Sequence, residues 1–529
     1  MLTRLLLVLA FWAALGAPGA AQVQPLIHDD SDRFFGEIKI PELRIWIEPR
    51  QMDRLSAAPR EYALATMTEN NGAIYGSVGV KLKGAAGSYR NWDDRPALTL
   101  NMKKFNKYGA FHGLRKFHLN NSVQDGTYLN EFASSELFRK AGIPAPRVSF
   151  ARVWLNDRDV GFYVLKEGFD ELFVKRYFPD AKGNLYEGPF CADIDAPLEK
   201  DSGKGPDDRS DLKAVMAAVD LGDPVARRRE TLKVVDVEEF ALFMAMERLT
   251  CHWDGYCQNR NNYRIYFNQG RASFLPHGMD QMFGNTSQGL LDGSGSRVAR
   301  VMTEDPEFKA ILFRQAAAAS STLSPPDWLL ARIDLAHQQM RPVLEKMSPG
   351  RGEQNGRDAA GLKQRLVERG EFLRKHIAAE RANMPPEFDP SGETRIPEWF
   401  SQTANGAVAA DEPVVDGRPT YHLKITGDSG VASWRGRMLL GRGVYTLSAD
   451  LWANNVVATD DNLSGIGVGL SGAPRTQRLS GTFGRQTVSH EFSVSEDRKQ
   501  AEFVLELRAK SGEVWFDAGS LKLTRKPLP

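Results

Sequence analysis

A chain of 529 residues, 42% hydrophobic and 26% charged, can bury large cores, and its length calls for two or more domains. Its net charge of +1 excludes the broad basic footprint that nucleic-acid binding needs, and no Lys/Arg cluster interleaved with aromatics appears. Three cysteines without a C-x2-C pair disfavour a zinc site.

Residues 1–21 have the form of a secretory signal: Arg4, an apolar run from Leu5 to Leu15, then Gly19-Ala20-Ala21. The expected mature protein is exported, whether periplasmic, cell-surface or extracellular. An uncleaved anchor would need a longer apolar run, and no later segment is apolar enough to span a bilayer.

Ile38–Arg50, Gly76–Lys83 and Ala97–Met102 alternate apolar and polar residues, which predicts a small antiparallel β region. Between the last two lies the Gly-rich turn Gly84–Ser88, whose amides could approach phosphate or could simply turn the chain. Lys81, Lys83, Arg95, Lys103 and Lys104 lie on or beside these strands; Lys83 and Arg95 are the chosen candidates for pairing with a nucleotide, solvated strand charges being the alternative. A strand over Lys116–Asn121 precedes a helix from Thr127 to Lys140, stopped by Gly142 and Pro144. Val148–Trp154 and Val160–Lys166 form a hairpin, and Glu167 at its end either reaches into a cleft or caps and pairs locally. After a short helix over Phe169–Tyr177 and an extended Gly183–Glu187, residues 192–229 are rich in charge, Gly and Pro. They are expected to be a surface insertion with a helix at Asp211–Leu221. Asp236–Thr250 carries an apolar stripe at helical spacing and leads into Asp254.

From Glu247 to Gly284 the chain sets Asp254 beside a polar loop, follows it with Asn262-Tyr263 and a hairpin, and delivers Asp280 just before Phe283-Gly284. Phosphoryl transfer asks for one carboxylate near the accepting hydroxyl, plus an Asp and an Asn as oxygen ligands for magnesium. Cys251 and Cys257 flank Asp254; in an oxidising compartment they are expected to close a small disulfide loop, two free thiols being the alternative. Cys191 is then an odd thiol. Asp254 and Asp280 could also supply a glycosidase pair, but Asn262 and the Gly-rich turn fit metal-phosphate chemistry better, and a G-x-S-x-G elbow is absent.

Helical patterns run from Asp305 to Asn383. A Pro/Gly-rich boundary from Met384 to Gly406 follows, and beyond it short strands of period two predict a β-sandwich. Tyr421, Trp434 and Trp452 could stack on sugar or fill its core.

Four motifs in order carry a family resemblance: D-x7-N-Y (Asp254, Asn262, Tyr263), Met279-Asp280 with Phe283-Gly284, GFYVLKEGFD from Gly161 and GNLYE from Gly183. The stretch Ile38–Pro385 resembles the CotH, or spore-coat-protein-H-like, atypical kinases. The C-terminal layout resembles carbohydrate-binding jelly rolls, especially in Gly512–Leu523. Family members commonly show W-D-x-D where this chain has His277-Gly278-Met279-Asp280. The resemblance implies an α+β fold, a kinase-like two-lobe domain (30–385) joined by a linker (386–406) to an all-β jelly-roll sandwich (407–529). It further implies ATP with Mg2+ or Mn2+ and transfer to Ser or Thr of a surface protein. Asp254 would be catalytic, Lys83, Arg95 and Glu167 would position the nucleotide, and Asn262 and Asp280 would hold metal. A polysaccharide is the partner expected for the sandwich. The alternative is a catalytically inactive, kinase-shaped scaffold or glycan-binding protein for coat or envelope assembly.

Overall fold

The structure, a computed structural model, describes residues 25–526 apart from 86, 324–325, 383–385, 387, 390, 397, 460–462, 474–475, 477 and 497–498. The expected signal at 1–21 lies outside the described residues. The chain divides into two compact units at Arg374/Lys375. Among the described residues no helix is long and apolar enough to cross a membrane.

In the first unit seven strands close into a barrel: β1 (Glu42–Trp46), β2 (Ala63–Glu69), β3 (Ala73–Lys83), β4 (Ala97–Asn101), β5 (Lys116–Asn120), β6 (Val148–Leu155) and β7 (Arg158–Glu167), in the order β1-β2-β3-β4-β5-β7-β6. The expected region was antiparallel throughout. Closure instead uses one parallel pair, β1 on β6, with Leu43 opposite Val153 and Ile45 opposite Leu155. The strand expected to reach Arg50 stops early, because Pro49 starts the helix Pro49–Ala57. β2, ALATMTE, was not anticipated; its Ala and Glu are weak strand formers, and pairing with β1 and β3 decides.

Alternation gives the barrel two different faces. Val80, Leu82, Leu98, Leu100, Phe117, Leu119 and Leu165 point inward, none more than 2% exposed. On the outer side Lys81, Thr99, His118 and Lys166 stand in register across β3, β4, β5 and β7. The helix Asn130–Ala141 follows β5 and ends at Gly142, whose φ of 108° lets its amide turn back to the last carbonyls.

A second sheet has the order β11-β10-β8-β9, from β8 (Leu185–Glu187), β9 (Glu199–Ser202), β10 (Tyr263–Asn268) and β11 (Arg271–Pro276). Residues 192–229, expected as a surface insertion, are for the most part exposed or half-buried and hold the expected helix, Ser210–Val219, but they also contribute β9 to this sheet. In β9 Asp201 receives Lys116 at 3.3 Å and also Arg264, while Ile194, Leu198, Leu212 and Val215 around it are buried. Helices Val237–Leu249, Pro306–Ser320, Asp327–Met347 and Arg351–Ala382 follow the expected helical stretches.

Beyond the end of helix Arg351–Ala382, the second unit is a β-sandwich of β12 (Glu393–Thr394), β13 (Trp399–Asp411), β14 (Val414–Val415), β15 (Arg418–Leu440), β16 (Gly443–Val457), β17 (Gly465–Leu470), β18 (Gly481–Val494), β19 (Lys499–Ala509), β20 (Ser511–Asp517) and β21 (Lys522–Arg525). Its core is led by Leu447, Leu451, Phe503, Leu505 and Phe516, each 0% exposed. The expected linker 386–406 holds β12 and half of β13, because Glu393–Thr394 pairs with β21 and Trp399 onward with β15. Trp434 is a core residue, 4% exposed, with its indole N–H donated to His422 O at 3.1 Å. Tyr421 packs on it, ring centroids 4.8 Å apart.

Candidate active site

The loop after helix Val237–Leu249 is built by the helix's own last residues. Thr250 Oγ1 donates back to Met246 O at 2.7 Å, and the His252 amide to Glu247 O at 2.8 Å. Glu247, 1% exposed, turns into the loop and accepts the Tyr256 and Cys257 amides, each at 2.9 Å. A carboxylate at those two amides satisfies donors that the short helix Tyr256–Asn259 leaves free. A Cβ at Gly255 would lie 2.4 Å from Glu247 Oε1, so a larger residue there would have to displace that carboxylate. Arg369, 0% exposed, donates to the carbonyls of Arg248, Leu249, Thr286 and Gln288 at 2.7–3.1 Å, and burial pulls its pKa down.

Asp254 is held in this loop by amides alone. Oδ1 accepts from Asn259 Nδ2 at 2.6 Å, and Oδ2 from Asn261 and Asn262 at 3.0 and 2.8 Å. A carboxylate has about four lone-pair sites, so three amides leave roughly one for a hydroxyl.

The polar side of the barrel carries a chain of contacts. Lys166 Nζ is 2.5 Å from Glu131 Oε1, with the two side chains 1% and 2% exposed. Glu131 Oε2 accepts Asn120 Nδ2 at 2.6 Å, and Asn120 Oδ1 accepts Lys83 Nζ at 2.5 Å. His277 Nδ1 lies 3.2 Å from Lys166 Nζ. Burial, then Lys166, Arg264 and Lys83, hold His277 well below its ordinary pKa, so it is neutral and accepts from the ammonium. Burial alone would raise Glu131, but Lys166 outweighs it and the carboxyl sits below its usual range. Burial and then Lys166 lower Lys83 to about 8.

Asp280 enters from the opposite side. After β11 the chain passes Gly278 at φ 53° and buries Met279 completely. His252 Nε2 donates to His277 O at 3.0 Å, and the Phe283 amide to Thr250 O at 3.0 Å, so this segment is tied to the Asp254 loop at two points. Asn130, first residue of its helix, donates Nδ2 to Asp280 O at 3.1 Å. Among the described residues the Asp280 carboxylate takes no side-chain hydrogen bond; burial, then the Glu131 charge, push its pKa up to about 6. A Cβ at Gly278 would stand 2.2 Å from Asn262 Oδ1. The amide of Asn262 therefore fills the space an acidic side chain at 278 would need.

Asp254, Asn262, Asp280 and Lys83 are thus placed on connected parts of the site, whereas two expected residues are elsewhere. Glu167 is a correction: Arg147 Nε and Nη2 donate to its two oxygens at 2.9 and 2.6 Å, and Arg176 lies behind at 3.6 Å. The cause is the pleat, which turns residue 167 away from the side that Lys166 faces. Arg95 reaches back to the Phe162 carbonyl and lies over the Tyr163 and Tyr128 rings, 5.4 and 6.0 Å from their centroids. The expected disulfide is also corrected: all three cysteines are free. Cys251 donates to Asn285 O at 3.1 Å, while Cys257 is drawn by its amide toward Glu247, so the thiols serve different packings.

Sequence reasoning missed Lys166, Glu131, Asn120, His277, Glu247 and Arg369. Lys166 lies inside the GFYVLKEGFD stretch, and strand alternation next to the inward Leu165 selects it. Arg369 shows no local signal, since its partners are backbone carbonyls from distant segments.

Among the described residues no three His, Cys, Asp or Glu side chains gather as a metal cluster. The donor set does fit a hard cation in part: the Asp280 carboxylate, part-buried without a cationic hydrogen-bond partner, and the Asn262 amide oxygen. Phosphate oxygens and water would have to complete the coordination.

A strand-rich lobe bearing a buried Lys–Glu pair, facing a loop with Asp254 and Asn262 and a segment with Asp280, defines an atypical kinase-like domain. The family model described as CotH kinase protein matches residues 80–354, more than half of the chain, and the chain belongs to that family. It is 22% identical over 293 residues to the inner spore coat protein H of Bacillus subtilis (strain 168), covering 51% of this chain and 80% of that protein. It is 26% identical over 190 residues to the invasin CotH7 of Rhizopus delemar, covering 32% of this chain and 31% of that protein. The chain thus spans about a third of that fungal relative's length. Two solved carbohydrate-binding modules align with a quarter of the chain: TmCBM61 in complex with β-1,4-galactotriose (17% identity, TM-score 0.18, 91% of that chain covered) and a CBM4 module (18%, 0.19, 92%).

Proposed function

We propose that this protein is an exported CotH-like kinase that transfers phosphate from ATP to Ser or Thr of a surface or extracellular protein. The observation that carries this reading is the pairing of Lys166 with Glu131, 1% and 2% exposed, on a polar face otherwise free to be apolar. Taking both charges out of water is unfavourable unless geometry and further hydrogen bonds compensate. Protein kinases keep such a pair to hold nucleotide phosphates. Lys83, joined to Glu131 through Asn120, gives a second cation for phosphate oxygens.

In the proposed reaction the acceptor oxygen forms a bond to the terminal phosphorus, the bridging P–O bond to ADP breaks, and the hydroxyl proton passes to the Asp254 carboxylate or to solvent. Asp254 orients the hydroxyl through the lone-pair site its three amides leave open. Asn262 and Asp280 would hold Mg2+ or Mn2+, which supplies neutralisation of phosphate charge when bound. Export is supported by the signal-like residues 1–21 and by the coat and invasin relatives. A polysaccharide is the partner proposed for the sandwich.

One observation favours the second reading, an inactive scaffold: Gly278 stands where the family commonly has an acid, leaving Asp280 as the acidic ligand of that segment. Phosphate transfer from labelled ATP to a generic acceptor by the intact chain distinguishes the two. Transfer that disappears in Asp254→Asn supports the kinase; no transfer with either metal, alongside a folded chain, supports the scaffold.

A further inference from the structure

The outward face of the sandwich is not decorated at random. On β16 the inward positions Leu447, Ala449, Leu451 and Ala453 are at most 3% exposed, so Ser448, Asp450, Trp452 and Asn454 line the other side. Strand register places Trp452 opposite Trp515 on β20, and Trp515 opposite His422 on β15. The three rings are near-parallel: 6.2 Å and 9° between the tryptophans, 4.7 Å and 13° between Trp515 and His422. Both tryptophans keep part of their surface in solvent.

Polar rows border this aromatic row on both sides. One is Lys424, Glu513 and Asn454, with Glu513 accepting Lys424 Nζ at 3.2 Å and Asn454 Nδ2 at 3.3 Å. The other centres on Asp450, which accepts Arg485 Nε at 3.0 Å and Thr487 Oγ1 at 2.6 Å. Asp450 and Thr487 also line a cavity of about 670 Å³ whose walls include Ser448, Ser520, Glu393 and Lys522, without one aliphatic or aromatic side chain.

We propose that this face is a binding site for a neutral oligosaccharide, laid against Trp452 at the open end of the ring stack, which Trp515 and His422 hold in place from behind, with its hydroxyls on the Asp450 side. A sugar needs both halves: ring C–H groups lie on aromatic surface, and hydroxyls, donor and acceptor at once, need oriented groups of both kinds. Charge selects neutrality. Asp450, Glu513, Glu393 and Asp389 repel phosphate and uronate, while Lys424, Arg485 and Lys522 are paired to three of these carboxylates and Arg395, the further cation of the cavity wall, is outnumbered by acids. A protein partner fits poorly, because desolvating fixed ion pairs opposes a dry interface. The proposal rests on the reading of the second unit as a polysaccharide-binding module.

Titration calorimetry of the intact chain with xylohexaose, cellohexaose and β-1,4-galactotriose, against oligogalacturonate as the anionic probe, tests it. Binding of a neutral probe is expected, weakened roughly tenfold or more by Trp452→Ala. Asp450→Asn, isosteric and milder, should weaken it less, and Trp46→Ala in the first unit should change nothing. Thermal unfolding checks that each variant folds. Binding that survives Trp452→Ala and Asp450→Asn would keep the module and overturn this site; binding of oligogalacturonate alone would overturn the selectivity that defines it; no saccharide binding would overturn both.

Discussion

Lys166 and Glu131 meet at 2.5 Å with almost no solvent contact, one from the end of β7 and one from the first turn of helix Asn130–Ala141. Breaking such a pair leaves a lone charge in a dry place. Lys166→Met or Glu131→Gln should each destabilise the chain by about 3–5 kcal/mol, whereas Lys166→Met with Glu131→Leu should restore most of that. Urea unfolding of all three variants measures it. Under the proposed function the double variant should still have lost nucleotide binding, which separates the pair's role in the site from its role in the fold.

Asp280 should weaken the fold in exchange for its place in the site. Its pKa is raised to about 6 by burial and then by Glu131, so the folded state binds a proton more tightly than the unfolded chain. Stability from this group is therefore present at low pH and lost as pH rises through about 6. That rise amounts to at most about 3 kcal/mol at neutral pH. Asp280→Asn should stabilise the chain by roughly 1–3 kcal/mol at pH 7 and by little at pH 4. The same change should reduce phosphate transfer by about 100-fold or more.

Glu167 makes the opposite prediction. Its partners Arg147 and Arg176 are buried, so Glu167→Gln should destabilise by about 3 kcal/mol or more while the Kd for nucleotide stays unchanged. Thermal melts beside a nucleotide titration decide. Selective loss of nucleotide affinity at full stability would return Glu167 to the cleft.

Putting back the acid at 278 should fail. Gly278 has φ 53° and lies so close to Asn262 that even a Cβ does not fit. Gly278→Ala should cost about 1–3 kcal/mol through strain and displacement of Asn262. Gly278→Asp should not increase the number of Mn2+ ions bound, as counted by electron paramagnetic resonance.

Cys251 and Cys257 should be found as free thiols. Burial raises the pKa of both, so neither should react with iodoacetamide in the folded chain, and both should react after unfolding without reductant. A linked peptide pair on non-reducing digestion would contradict the structure here.

The placement of Asp254, Asn262 and Asp280 on neighbouring loops was legible because it is written in local spacing: a helix stop, a polar turn and a hairpin bring them near one another over 27 residues of chain. The barrel's contribution was harder to read. Lys83, Lys166 and Glu167 all look alike as charges on strand ends, and only the pleat separates a residue on the polar face from one locked behind Arg147. β9 carries no strand signal within the charged insertion 192–229 because the partners of its Asp201, Lys116 and Arg264, are distant in sequence. The 386–406 segment looks like a linker in sequence because Pro and Gly crowd around the two-residue β12, and Gly406 sits inside the long β13 at an irregularity in its pairing.

Calorimetric titration of the intact chain with ATP and magnesium or manganese is the most direct measurement of whether this fold works as a kinase. Saturable binding that requires both nucleotide and metal, and that disappears in Asp280→Asn and in the Lys166→Met, Glu131→Leu double variant, is expected. A folded wild-type chain that binds no nucleotide with either metal would contradict the kinase reading and leave the scaffold in its place.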